Sequence, residues 1–243
     1  MTTSILIGTF AIAIGAFGAN DDSKEERSFN ASGLKSIEYK NGSGDVRIVG
    51  KGGEQATVVA NKREFGDGCE LVMDRKGDTL VVQLRSKSWF STGRCEVDFD
   101  ITAPSRIDVN AATGSGDIDV EGTTGRVDVR VGSGSVNVDG QVSNLTSRSG
   151  SGRINVRGLS GGADIRTGSG RIELTYREAP RSGEVSIRAG SGSATINMPA
   201  SARVRTSFRA GSGRMRNELP SYPDADFRIE MRAGSGSLHI KPL

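Results

Sequence analysis

The tripeptide Gly-Ser-Gly begins at positions 42, 114, 132, 150, 168, 190, 211 and 234 of a 243-residue chain. From 114 onward the intervals are 18, 18, 18, 22, 21 and 23 residues, and the first interval, 72, is four times 18. A register kept over that length marks a repeat architecture, whose units are too small to bury an apolar face alone and must stack on one another. Strict alternation follows the tripeptide, as in Asp117-Ile118-Asp119-Val120 and Ser135-Val136-Asn137-Val138. A second alternating run precedes it, as in Arg126-Val127-Asp128-Val129-Arg130-Val131. Such period-2 runs describe strands with one buried face.

Two short strands and two turns per unit predict an all-β fold. The expected form is a parallel β-solenoid with coils of 18–23 residues, stacked about 4.8 Å apart. Taken in chain order, one interior column is Ile118, Val136, Ile154, Ile172, Ala194, Met215 and Leu238. A second is Val120, Val138, Val156, Leu174, Ile196 and Ile240, and a third is Ala111, Val129, Ser147, Ile165, Ile187, Phe208 and Met231. A core this narrow needs few aromatics. That accounts for a composition with 34 glycines, 5% aromatic and 35% hydrophobic residues.

Residues 28–112 are less regular. Apolar alternations there are separated by turn signals, and Lys76-Gly77-Asp78 between two of them reads as a hairpin connection. This part is therefore expected to be partly antiparallel and to cap the first coil against edge-to-edge association. The chain divides into 1–19, 20–113 as the N-terminal β portion and cap, and 114–243 as the repeat solenoid. Residues 1–20 carry no charged side chain, Ile5 to Phe17 is apolar, and Ala16-Phe17-Gly18 has small-x-small spacing. This is the pattern of a secretory signal peptide, though its start lacks Lys and Arg, with an uncleaved N-terminal anchor as the alternative because the run with its flanks is long enough to span a thin bilayer. The expected location is outside the cytoplasm: periplasm, cell surface or medium. Membrane contact is expected only through an uncleaved N-terminal segment. Cys69 and Cys95 are the only cysteines. In an exported chain an even count points to one disulfide, the other reading being two buried free thiols.

Ile101-Thr102-Ala103-Pro104, then Ile107-Asp108-Val109, Thr113-Gly114-Ser115-Gly116-Asp117-Ile118 and the further coils together resemble a known bacterial family. It is the "putative adhesin" family of unknown function, with Gly-Ser-Gly β-strand repeats. It is related to the head domain of "putative" autotransporter adhesins. The resemblance spans about residues 28–243 and implies an exported, solenoidal, non-enzymatic surface or envelope protein. It carries over no catalytic or binding residues.

Catalytic chemistry finds little support. No Gly-x-Gly-x-x-Gly occurs, since Arg47 stands where Gly44 would need a glycine three residues on. A calcium roll requires Asp at positions occupied here by Ile118, Val136 and Ile154. Asp117, Asp119 and Asp128 do not recur as a carboxylate pair in neighbouring coils, and His239 is expected to face solvent. Neither a metal nor a cofactor is expected. The enzymatic alternative is a carbohydrate-active β-helix protein, either a polysaccharide lyase or a hydrolase.

One constellation recurs. An arginine stands two residues before six consecutive tripeptides: Arg130, Arg148, Arg166, Arg188, Arg209 and Arg232. Residues 114–243 hold 17 of the 24 arginines, and 18 basic against 13 acidic residues. Such a column either binds an anionic polysaccharide or envelope polymer, or is a solvated repeat face whose stems pack along the sheet. Nucleic acid is excluded by the expected export and the lack of interleaved aromatics. Tyr176 and Tyr222 fall in the longer coils, opposite the tripeptides, where a ring could stack on a sugar. Trp89-Phe90 forms either a contact tip or an apolar lid. The expected function is non-enzymatic binding or display at the envelope. A structural or sensory accessory role with a protein partner is a further alternative, and the oligomeric state is left open.

Overall fold

A computed structural model of the protein describes residues 23–86 and 94–243. The segment 1–19 expected to act as a signal peptide or anchor, and the Trp89-Phe90 pair, lie outside the described residues. The described residues form eighteen strands in one continuous mixed sheet of solenoid-like shape. No helix among them is long and apolar enough to cross a membrane.

Two ladders of parallel strands carry the repeat. Asp108–Ser115, Arg126–Ser133 and the leading halves of Asn144–Arg157, Ala163–Thr175 and Gly183–Met198 pair in chain order along the first. Ile118–Glu121, Val136–Asp139 and the trailing halves of the same three long strands make the second. The alternation turns Ile118, Val136, Ile154, Ile172 and Ala194 into one buried column, and Val120, Val138, Val156, Leu174 and Ile196 into another. Ala111, Val129, Ser147, Ile165 and Ile187 form the third. Gly-Ser-Gly corners join the ladders. Gly152 shows why: its φ is +131°, and a Cβ there would overlap the carbonyl oxygen of Gly134 one rung below.

Both ends depart from chain order. Ser36–Ser43 lies between Asp108–Ser115 and Thr79–Ser86, and Val46–Gly50 lies between Ile118–Glu121 and Cys95–Ala103. The corner at 42 therefore stacks directly on the corner at 114. The 72-residue interval is an excursion to an outer layer rather than four stacked coils. At the other end, Phe227–Ser235 and Leu238–Pro242 insert between Gly183–Met198 and the outermost pair, Arg205–Ser212 with Met215–Asn217. The corrected column order ends Ile187, Met231, Phe208. Burial explains the exchange. The inner rung buries Phe227, Ile229, Met231, Leu238 and Ile240, whereas the outer strands hold a half-buried Phe208 and a Met215 that is 42% exposed, with Val204 and Leu219 buried just beyond their ends.

The irregular N-terminal part supplies the antiparallel pairing. Cys69–Lys76 and Thr79–Ser86 form the expected hairpin across Gly77, whose φ is +63°. Gln55–Phe65 runs antiparallel to Cys95–Ala103, and Lys24–Asn30 adds outside it. A Cys69–Cys95 disulfide ties the hairpin to the neighbouring ladder across a Cα–Cα distance of 5.8 Å. Edge-to-face ring pairs fill the wider parts of the core, Tyr39 on Phe99 at 5.5 Å and Tyr176 on Phe227 at 5.6 Å.

Candidate functional site

Parallel pairing in register places residues of one repeat position side by side. Arg130, Arg148, Arg166 and Arg188 are direct partners along the first ladder, followed by Arg232 and then Arg209. All six arginines line one groove of about 1000 Å³. Its floor is the glycine corner and the small residue before it: Thr113, Val131, Ser149, Thr167, Ala189, Ala233 and Ala210. Thr113, Ser149 and Thr167 each donate their hydroxyl 3.1 Å to the carbonyl two residues on, which fixes the corner. With rungs about 4.8 Å apart, the wall runs about 24 Å from Arg130 to Arg209.

Cations that close repel unless they are compensated. The compensation lies two residues earlier on the same face, where stack order reads Asp128, Thr146, Asp164, Ser186, Glu230, Ser207. Acid and hydroxyl alternate. Arg130 pairs with Asp128 at 3.2 Å, Arg166 with Asp164 at 3.5 Å and Arg232 with Glu230 at 2.6 Å. Arg148, Arg188 and Arg209 have no ion-pair partner among the described residues. Hydrogen bonding from Arg232, helped by the charges of Arg232, Arg228 and Arg209, holds the Glu230 carboxyl below the usual range. The alternation depends on the inserted rung. In chain order Ser186 and Ser207 would be neighbours, leaving Arg188 and Arg209 adjacent with no acid between them.

The loop edge is different. Tyr176 is fully buried, its ring against Phe227 and its hydroxyl donating 2.9 Å to the Gly161 carbonyl, and burial raises its pKa. It is a core residue, and no sugar can reach its ring. Tyr222 is half-buried beneath the Arg203 guanidinium, 4.2 Å from the ring centre, and Arg203 also pairs with Asp224 at 3.0 Å. The groups of this edge therefore satisfy one another. His239 sits 2.8 Å from the Glu218 carboxylate. Hydrogen bonding from His239 is the main cause of a lowered Glu218 pKa.

The sequence is expected to hold no nucleophile elbow, and that expectation needs correcting: Gly158-Leu159-Ser160-Gly161-Gly162 has the Gly-x-Ser-x-Gly spacing. Here it is a turn between two strands, and the Ser160 hydroxyl is spent on the Val142 carbonyl at 3.0 Å. Among the described residues no group of three or more His, Cys, Asp or Glu side chains could hold a metal ion. The pairing of every second arginine is legible in the sequence, where Asp128, Asp164 and Glu230 stand two residues before an arginine and Thr146, Ser186 and Ser207 supply no charge.

Several solved structures are similar in fold. A "putative adhesin" from Bacteroides fragilis is 13% identical, with 90% of this chain and 97% of that one covered and a TM-score of 0.48. A "putative cell adhesion protein" from Clostridium sporogenes is 15% identical, covering 90% and 99%, with a TM-score of 0.38. A "putative lipid binding protein" from Parabacteroides distasonis is 16% identical, covering 91% and 98%, with a TM-score of 0.44. No curated protein matches the chain. The family model described as Toastrack DUF4097 matches residues 30–241, nearly all of the described structure, and the chain belongs to that family.

Proposed function

We propose that the protein is an exported, non-enzymatic, adhesin-like binding or display protein of the bacterial envelope. Its parallel β-solenoid holds an anionic polymer along the arginine groove. The observation that carries this reading is the six-arginine wall, in which Arg148, Arg188 and Arg209 lack an acid partner among the described residues while lining an open groove. A guanidinium offers a carboxylate or phosphate two parallel N–H donors, so such a wall suits a repeating anion better than a neutral surface. The Cys69–Cys95 bridge fits an oxidising compartment. The acidic glycans and teichoic-type polymers of an envelope have the required charge.

The test is retention on an immobilised anionic polysaccharide across a salt gradient. The protein is expected to be retained at low salt and released as salt rises, because exposed ion pairs are screened. Replacing Arg148, Arg166 and Arg188 together by Gln is expected to abolish retention. Unchanged retention of that variant overturns the assignment, and so does cofactor-free release of sugar products from the polysaccharide.

A further inference from the structure

We propose that the groove reads charge spacing, and that its ligand is an acidic polysaccharide with one carboxylate on every second sugar. This rests on the groove binding an anionic polymer at all. Rungs bearing an acid two residues before the arginine (Asp128, Asp164, Glu230) alternate with rungs bearing a hydroxyl (Thr146, Ser186, Ser207) over six consecutive rungs. The free guanidiniums of Arg148, Arg188 and Arg209 thus recur every second rung, about 9.6 Å apart.

The rung spacing of about 4.8 Å suits an extended β-linked glycan that advances by one rung per sugar. Laid along the groove, it presents every second sugar to a free arginine. A carboxylate on that sugar meets an unpaired guanidinium and takes a bidentate, charge-assisted bond. A carboxylate on the intervening sugar meets an arginine already neutralised by Asp128, Asp164 or Glu230, whose like charge lies two residues back on the same face. The wall therefore favours charge on alternate sugars and penalises charge on every sugar. The small floor residues leave room for flat rings. The exchanged order of the last two rungs extends the alternation to Arg209, which chain order would break.

Calorimetry on the folded protein tests this with octasaccharides of hyaluronan (a carboxylate on alternate sugars) and of β-linked polymannuronate (a carboxylate on every sugar). The hyaluronan octasaccharide is expected to bind at least as tightly as its partner despite carrying half the charge. The combined change Asp128→Asn, Asp164→Asn and Glu230→Gln frees every arginine and is expected to reverse that order. The opposite design, Thr146→Asp with Ser186→Asp and Ser207→Asp, pairs every arginine. It is expected to weaken hyaluronan binding at least about tenfold, the equivalent of one lost charge-assisted bond. Tighter binding of oligomannuronate by the unaltered protein overturns the spacing rule while leaving the groove as an anion site. Binding of neither glycan, together with salt-sensitive retention on polyphosphate, overturns the glycan assignment. Binding of no anion overturns the groove reading itself.

Discussion

Gly152 carries an argument that its neighbours in the corner share. Its positive φ and the carbonyl of Gly134 against its α-carbon leave no room for a methyl group. Gly152→Ala is expected to cost about 3 kcal/mol or more, from backbone strain plus overpacking, read as a lower urea midpoint. Ser147 is the converse case. Its hydroxyl is fully buried in an otherwise apolar column and has no hydrogen-bond partner among the described residues. Ser147→Ala is expected to raise stability by about 1 kcal/mol in the same measurement, by removing an unsatisfied polar group. Glu230 makes a pH prediction. Its folded pKa is lowered, so its stabilising contribution is present above the ordinary glutamate value of about 4 and is lost as pH falls through the folded pKa. The stability difference between the protein and Glu230→Gln is therefore expected at neutral pH and should vanish on acidification below that range. The core columns and the arginine wall were legible from alternation alone, because a strand's period fixes the side on which each residue falls. Tyr176 was not, because its burial depends on Phe227, fifty-one residues away in sequence.

The inserted rung sets the behaviour of elements at the C-terminal end. Terminal strands ordinarily fray first, yet Phe227–Ser235 is paired on both sides while Arg205–Ser212 is paired on one. Native-state hydrogen exchange is expected to show slower exchange in 227–235 than in 205–212, and equal or reversed protection would contradict the stack order. No local pattern could have revealed the exchange, since Arg209-Ala210-Gly211-Ser212-Gly213 and Arg232-Ala233-Gly234-Ser235-Gly236 are identical. Either rung can pair in the same register, and only the richer apolar set of 227–240 selects the inner place. The excursion near the N-terminus was hidden in the same way, because a gap of four periods looks the same whether it is filled with coils or not. The disulfide staples that excursion. Replacing both Cys69 and Cys95 by Ser is expected to lower stability by about 3 kcal/mol in the chain-entropy model.

A stack of open ladders has two ends, and each must avoid templating further strands. One end is covered by the antiparallel strands Lys24–Asn30, Gln55–Phe65 and Cys69–Lys76. The other is a bare edge, Arg205–Ser212 with Met215–Asn217, and it carries Arg203, Arg205, Arg209, Arg214 and Arg216 within fourteen residues. A net charge of only +3 for the whole chain conceals this concentration. Replacing Arg205, Arg214 and Arg216 by Thr is expected to yield stronger concentration-dependent association by light scattering than the unaltered protein shows. The alternation of acid and hydroxyl beside the arginines has a last consequence, for how such a molecule can lengthen. Inserting a single 18-residue coil into the arginine wall would set two acids or two hydroxyls side by side and shift every rung beyond it out of phase. Inserting two coils would not. The heritable unit of growth is therefore the pair, and a lineage that adds rungs while keeping its charge rhythm is expected to gain them in even numbers.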